Sequence, residues 1–379
     1  MLGDCITPLK SLFDSQSELR AQENSNCMAI VENGKLLRNF ESSRSGVFAR
    51  VFRGGLFGSA SSAIYDDRSA GDVLKHAQRL AREADSRCAL GEPPIPSIPD
   101  GKVELERSLK EFDQQAHIDF AFEIDSYIAN KYPGLAKRKV RVRSQCTEKL
   151  LVVSNGFDAH TAIIRAYVDV DLTSEAADGA PVTIGNYYGR SCYLDEAFSE
   201  KQWLFDEIDK LHGQLMEYRE GVYPDAGYHD VILSPDLCGM LAHEAVGHTL
   251  EADGVLGGSI AGLYAGKPVA SEIVTLMDYA HTVPGGDAPC RMLVDDEGTP
   301  CADAFLITNG ILTSFMHSRQ TARNLGGTQR GNTRASQYYD EPMIRMRNTA
   351  IAPGKNSLED MIASIDDGYY LVGNENGSG

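Results

Sequence analysis

The residues best suited to chemistry fall in one stretch, His243-Glu244-Ala245-Val246-Gly247-His248-Thr249-Leu250-Glu251-Ala252-Asp253. Imidazoles and carboxylates are donors that Zn²⁺ takes, and a carboxylate beside such a metal can carry a proton. The zinc pattern H-E-x-x-H sets its histidines at i and i+4 on one helical face. Here one extra residue separates them. On a regular helix His243 and His248 point about 140° apart. Sharing one metal therefore requires a bulge or break between them, and Gly247 offers a permissive backbone for it. Glu244, one turn before His248, is the candidate base. Glu251 and Asp253 are candidates to orient the imidazoles or to join them as ligands. The competing reading is an amphipathic helix with a Glu244–His248 surface pair and acidic residues after its end. His281 and His317 are further candidate ligands, or ordinary polar residues. Arg330, Arg334, Arg345 and Arg347 could clamp a substrate carboxylate, or pair with the many Asp and Glu.

The elements around this stretch have their own signatures. Asp230 to Leu233 reads as a strand. Ser234 suits an N-cap and Pro235 a first helical position, so a helix is expected from about Pro235 through His248. A glycine-rich segment, Gly254 to Gly266, follows. Strands are expected at Val269–Met277 and Cys290–Val294, a turn at Asp295–Pro300, and a hairpin about Asn309-Gly310 within Ala304–Met316. A short helix, Ser357 to Asp367, should turn Leu358, Met361, Ile362 and Ile365 inward. The last apolar run, from Tyr369, reads as a strand with no partner after it, leaving an unpaired edge.

Upstream, Cys27–Leu37 reads as a hairpin about Asn33-Gly34, with further strands at Ser45–Phe52 and Leu56–Ser59. Ala70–Cys88 shows helical spacing, and Pro93, Pro94, Pro96 and Pro99 mark a loop. A second helix, Glu111–Tyr132, precedes three strands, Lys139–Ser144, Leu150–Ser154 and Ala162–Asp171, with a turn at Asn155-Gly156. A third helix covers Glu200–Glu220. The pattern predicts an α+β fold. Residues 1–223 form an N-terminal domain of antiparallel sheet with long helices, and residues 224–379 a mainly β domain carrying the H-E-x-x-x-H helix.

The 379-residue chain carries a formal net charge of -18. That argues against nucleic acid or an anionic membrane as partner. No apolar run approaches the length of a membrane helix. Eight scattered cysteines without C-x-x-C read as free thiols of a cytoplasmic protein.

The segment His243–Asp253 resembles the signature of the TldD branch of the TldD/PmbA metalloprotease family. The likeness continues in order through Val294–Pro300, Asn309–Leu312, Gly331–Arg334, Met346–Thr349 and Pro353–Lys355. The resemblance implies a zinc peptidase with His243 and His248 as ligands of Zn²⁺ and Glu244 as catalytic base. It implies unstructured peptides as substrates, and a cytoplasmic assembly with a TldE/PmbA-type subunit or a homodimer. The family's third zinc ligand is a cysteine in a later glycine-rich segment. Cys238, Cys290 and Cys301 do not match its context, so the catalytic domain is expected to be C-terminally incomplete at Gly379. The alternative that follows is a catalytically silent binding or scaffold subunit of the same assembly. A non-peptidase amide hydrolase is a third option.

Overall fold

A computed structural model describes residues 2–88, 90–91 and 94–373. The expected Pro93 and the tail from Asn374 lie outside the described residues. The N-terminal part is built on four very long strands. β1 (Gln16–Glu32), β2 (Lys35–Arg53) and β3 (Leu56–Ser62) form an antiparallel meander. After α1 (Asp67–Cys88), β4 (Gly101–Val103) and α2 (Gln114–Lys131) come β5 (Lys137–Val153), β6 (Phe157–Glu175) and β7 (Pro181–Arg190). They join one seven-stranded sheet in the order β3-β2-β1-β5-β6, with β4 and β7 both on the outer side of β6. The runs Ser45–Phe52 and Lys139–Ser144, expected as separate strands, are segments of β2 and β5.

Strand residues alternate between faces, and the two faces here have different tasks. On one face Leu19, Ala21, Val47 and Val51 bury against Val73, Leu74, Ala77 and Ala81 of α1. Further along the same face, Val140, Val142, Val168 and Val170 bury against α2 and α4 (Gln202–Arg219), which follows the one-turn α3 (Leu194–Ala197). The spacings Phe120, Ile124, Ile128 and Leu204, Ile208, Leu211, Leu215 are the apolar stripes that dock these helices.

The opposite face carries Glu18, Arg20, Arg50 and Lys149, and it receives the C-terminal part. The segment Asp295–Glu297, in the expected turn Asp295–Pro300, is buried there. Arg50 donates to Glu18 at 2.8 Å and to Glu297 at 2.7 Å. Lys149 Nζ donates to Asp296 at 2.5 Å, and the Ala335 N–H to the same carboxylate at 2.6 Å. Leu151 and Val153 cover Val294 beside these ion pairs. Buried charges are tolerated only when paired and hydrogen-bonded, so this loop fixes how the two parts meet.

In the C-terminal part, β8 (Asp230–Leu233) leads into α5 (Pro235–Leu241) and then α6 (Ala252–Leu256). β9 (Leu276–Tyr279) is followed by a small ribbon of β10 (Thr282–Val283) and β11 (Gly286–Asp287). β12 (Ala304–Thr308) and β13 (Ile311–Leu312) turn through Asn309 and Gly310, at φ 49° and 78°. Both values are left-handed, as a type I′ hairpin requires. α7 (Arg319–Leu325), β14 (Thr333–Arg334), β15 (Met343–Ile344), β16 (Asn348–Ile351), α8 (Leu358–Ala363) and β17 (Gly368–Leu371) complete it. The main sheet here runs β13-β12-β9-β16.

Four expectations differ from what forms. The strand at 269–277 shortens to β9, because Val269 and Ala270 instead donate their N–H groups to Gly310. Cys290–Val294 makes no strand, only an isolated bridge from Val294 to Pro300. The last apolar run finds a partner earlier in the chain: β17 pairs with β8 in parallel, Gly368 opposite Asp230 and Leu371 opposite Leu233. A parallel partner is distant in sequence, so no local turn signal marks it. Met361 and Ile362 of α8 are 39% and 48% exposed rather than turned inward. No helix among the described residues is long and apolar enough to cross a membrane.

Candidate metal centre

Ser234 caps α5 by accepting the Leu237 N–H at 3.5 Å, with Pro235 at the first turn. The helix is regular only to Leu241. Residues Ala242–Gly247 form a π-helical turn and His248–Leu250 a 3₁₀ turn. The N–H of His248 bonds to the carbonyl of His243, five residues back. A π turn takes up one residue more than an α turn, so the extra residue between the histidines is absorbed and their imidazoles return to one side. The ring centroids stand 4.8 Å apart at 79°.

Gly247 has ordinary helical angles, φ -56° and ψ -51°. Its role is therefore not the backbone freedom expected from sequence. A Cβ at this position would lie 2.1 Å from Met346 Sδ. The missing side chain lets the π turn sit against Met346, which also packs with Ala242, Leu250 and Val246. Met346 is held in turn by Arg347 and Asn348, whose N–H groups both donate to Asp278 Oδ1, at 2.7 and 3.0 Å. C-terminal to the turn, Leu250 and Ala252 exchange backbone hydrogen bonds with Met316 at 2.9 and 3.0 Å. The turn is thus clamped on two sides.

The ligand atoms of His243, Glu244 and His248 all lie within 4.8 Å of one another, and their side chains are open to solvent. Among the described residues this is the one group of three or more His, Cys, Asp or Glu so arranged. Two imidazoles are donors that fit Zn²⁺, and the Glu244 carboxylate lies beside them. Glu244 Oε1 is 4.0 Å from His243 Nε2. Glu251 Oε1 is 3.6 Å from His248 Nδ1, and its other oxygen 3.9 Å from Arg345. Burial holds the Glu251 carboxyl above the ordinary glutamate value, against the pull of His248 and Arg345. Glu251 Oε1 is buried without a hydrogen-bond partner and faces His248 across that gap, so it contributes charge beside the imidazole rather than a formed hydrogen bond. Asp253 turns away and accepts the N–H of Gly254.

The other sequence candidates lie elsewhere. His281 Nε2 meets the carbonyl of Cys301 at 2.9 Å. His317 is buried against Thr321 and Gly327, and burial depresses its pKa. Neither joins the cluster. Arg347 is a core residue, its Nε 2.7 Å from the fully buried Asp278. Arg334 donates to Cys290 Sγ and to the Met346 carbonyl. Arg345 is the one of the four arginines seen beside the cluster, through Glu251. Met346 entered the sequence reading only as the first residue of the block Met346–Thr349, and nothing there marked it as the contact of Gly247. All eight cysteines are free thiols, and none joins the histidines.

Comparison with known proteins places this geometry. Residues 226–378 match the signature described as PmbA/TldA metallopeptidase C-terminal domain, and residues 17–85 that of PmbA/TldA metallopeptidase domain 1. A zinc metalloprotease TldD homolog of Saccharolobus solfataricus is 34% identical over 269 residues, 69% of this chain and 57% of that one. The chain thus spans a little over half the length of that relative. A metalloprotease TldD homolog of Buchnera aphidicola is 30% identical over 365 residues, 90% of this chain and 71% of that one. TldE from Thermococcus kodakarensis has the same fold, with a TM-score of 0.68 at 18% identity over 98% of this chain and 82% of that one. The chain belongs to the TldD/PmbA family of metallopeptidases.

Proposed function

We propose that the chain is a zinc-dependent peptidase acting on unstructured peptides, with His243 and His248 as metal ligands and Glu244 as the base. The observation that carries this reading is the π turn, which brings two imidazoles and a carboxylate within 4.8 Å on a solvent-open surface. A zinc ion held there supplies Lewis acidity to water and to a peptide carbonyl. His243 and His248 bind through neutral ring nitrogens. Glu251, 3.6 Å from His248 Nδ1, places a carboxyl group beside that imidazole. Glu244 takes the proton of the attacking water and passes it to the departing amine.

Openness of the site favours an extended, flexible substrate over a small enclosed one. Leu256, Ile260, Leu263 and Ile273, just beyond the motif, are 50%, 64%, 70% and 88% exposed. Apolar surface of that extent is suited to covering by a peptide or a second subunit. It supports an assembly with a TldE/PmbA-type partner or a second copy.

The reading is tested with the purified chain on three substrates: an unstructured peptide, a folded protein and a small non-peptide amide. Cleavage of the peptide alone, abolished by 1,10-phenanthroline and restored by added zinc, is the expected result. Peptide cleavage that survives the chelator contradicts the metal assignment. Hydrolysis of only the small amide contradicts the peptidase.

A further inference from the structure

Away from the histidines, a cavity of about 730 Å³ lies between the sheet and the C-terminal part. That volume is in the range of small-molecule sites, about 300–1,000 Å³. Its floor is the sheet face opposite the helices. There Asn26, Gln145 and Arg165 are directly opposite one another on β1, β5 and β6. Gln145 donates to Asn26 at 3.2 Å, which ties the two amides together. The roof comes from segments 287–296 and 334–337, and it contributes Arg334.

The charges of this cavity do not cancel in pairs. Lys149 is neutralised by Asp296, and Arg291 by Glu106 at 2.5 Å. Arg107 is taken by Glu196, outside the cavity. Arg165 and Arg334 have no carboxylate partner among the described residues, and Arg165 Nε is buried without a hydrogen-bond acceptor. The remaining acids of the lining, Glu104 and Asp287, are exposed, and Glu104 pairs with Lys102. Arg334 spends one N–H on Cys290 Sγ and one on the Met346 carbonyl, and two guanidinium groups without a carboxylate partner lining one cavity are unusual in a chain of net charge -18. A buried donor without an acceptor is costly, and a planar guanidinium matches an oxyanion in a two-pronged geometry.

We propose that this cavity binds a small organic dicarboxylate, one carboxylate held by Arg165 on the sheet and the other by Arg334 on the roof, with Gln145 and Asn26 as neutral donors between them. Two cationic groups on facing walls select a ligand with two anionic ends over one with a single end. The site is separate from the histidine cluster and stands whether or not the chain is a peptidase.

The test is calorimetric titration of the full chain with succinate, at fixed ionic strength, with acetate as the single-carboxylate probe. Titration is repeated in His248→Ala, so that metal chelation cannot supply the heat. Saturable one-to-one succinate binding is expected in both chains, with acetate at least about tenfold weaker. Arg165→Gln should weaken succinate by at least about tenfold, the worth of one charge-assisted hydrogen bond. Arg165→Lys, which keeps the charge and loses the fork, should fall between the two and serves if Arg165→Gln does not fold. No saturable succinate binding overturns the proposal. So does acetate binding as tightly as succinate, or an affinity in Arg165→Lys and Arg165→Gln within twofold of the unaltered chain.

Discussion

Glu244→Gln should leave the zinc content of the chain unchanged and lower peptide hydrolysis by about 10²–10⁴-fold, the usual share of a general base. The carboxamide keeps the size and hydrogen-bonding reach of the carboxylate but cannot take a proton at neutral pH. Glu244 sits in the π turn between the two imidazoles in sequence, with its carboxylate 4.0 Å from His243 Nε2. Its side chain is 38% exposed, so its loss removes no core packing. Metal analysis and turnover on the same preparation separate the possible roles. Unchanged turnover contradicts the assignment of Glu244 as base. Loss of zinc together with turnover would make Glu244 a ligand instead.

The largest stability effect is expected far from the chemistry. Arg347→Leu should destabilise the fold by about 3–5 kcal/mol, the usual cost of stripping one partner from a buried ion pair. Asp278 is fully buried and accepts from Arg347 Nε at 2.7 Å and from Asn332 Nδ2 at 2.7 Å. The Arg347 guanidinium also donates to the carbonyls of Arg330 and Ala302, both at 2.9 Å. One side chain thereby ties β9 to two loops. The same carboxylate fixes the backbone of Arg347 and Asn348, and so the position of Met346 behind Gly247. Urea unfolding reads the effect as a lowered midpoint. A change below about 1 kcal/mol, the range of surface ion pairs, would show that the pair does not hold this region together.

These two residues illustrate what a linear sequence discloses. Helices α1, α2 and α4 were legible because each buries one apolar stripe on one sheet face. The hairpin at Asn309-Gly310 was legible because its φ values demand those residue types. The long strands were harder. Residues Glu41–Arg44 of β2 and Thr147–Lys149 of β5 are polar, which breaks the apolar alternation and splits one strand into two apparent ones. Part of that polarity belongs to the face turned toward the C-terminal domain, a partner that sequence periodicity does not reveal.

At the candidate site, spacing alone required a distortion between His243 and His248, and a π turn is found there. The reason for Gly247 was not legible, since it lies in a contact with Met346, ninety-nine positions away. Arg347 could not be told from Arg345 by type or by spacing. Only the fold separates the one buried against Asp278 from the one that reaches Glu251. Asp295–Pro300 reads as a turn, and nothing in its sequence discloses that Asp295–Glu297 is buried with Asp296 on Lys149 and Glu297 on Arg50. Long-range charge pairing leaves no local pattern.

The claim at the centre of this account is that the π turn exists to let two histidines share one metal ion. Zinc content of the natively purified chain tests it most directly. One zinc per chain is predicted, falling to background in His243→Ala and in His248→Ala while both variants keep their fold. A chain without zinc, or either variant retaining it in full, would contradict the account.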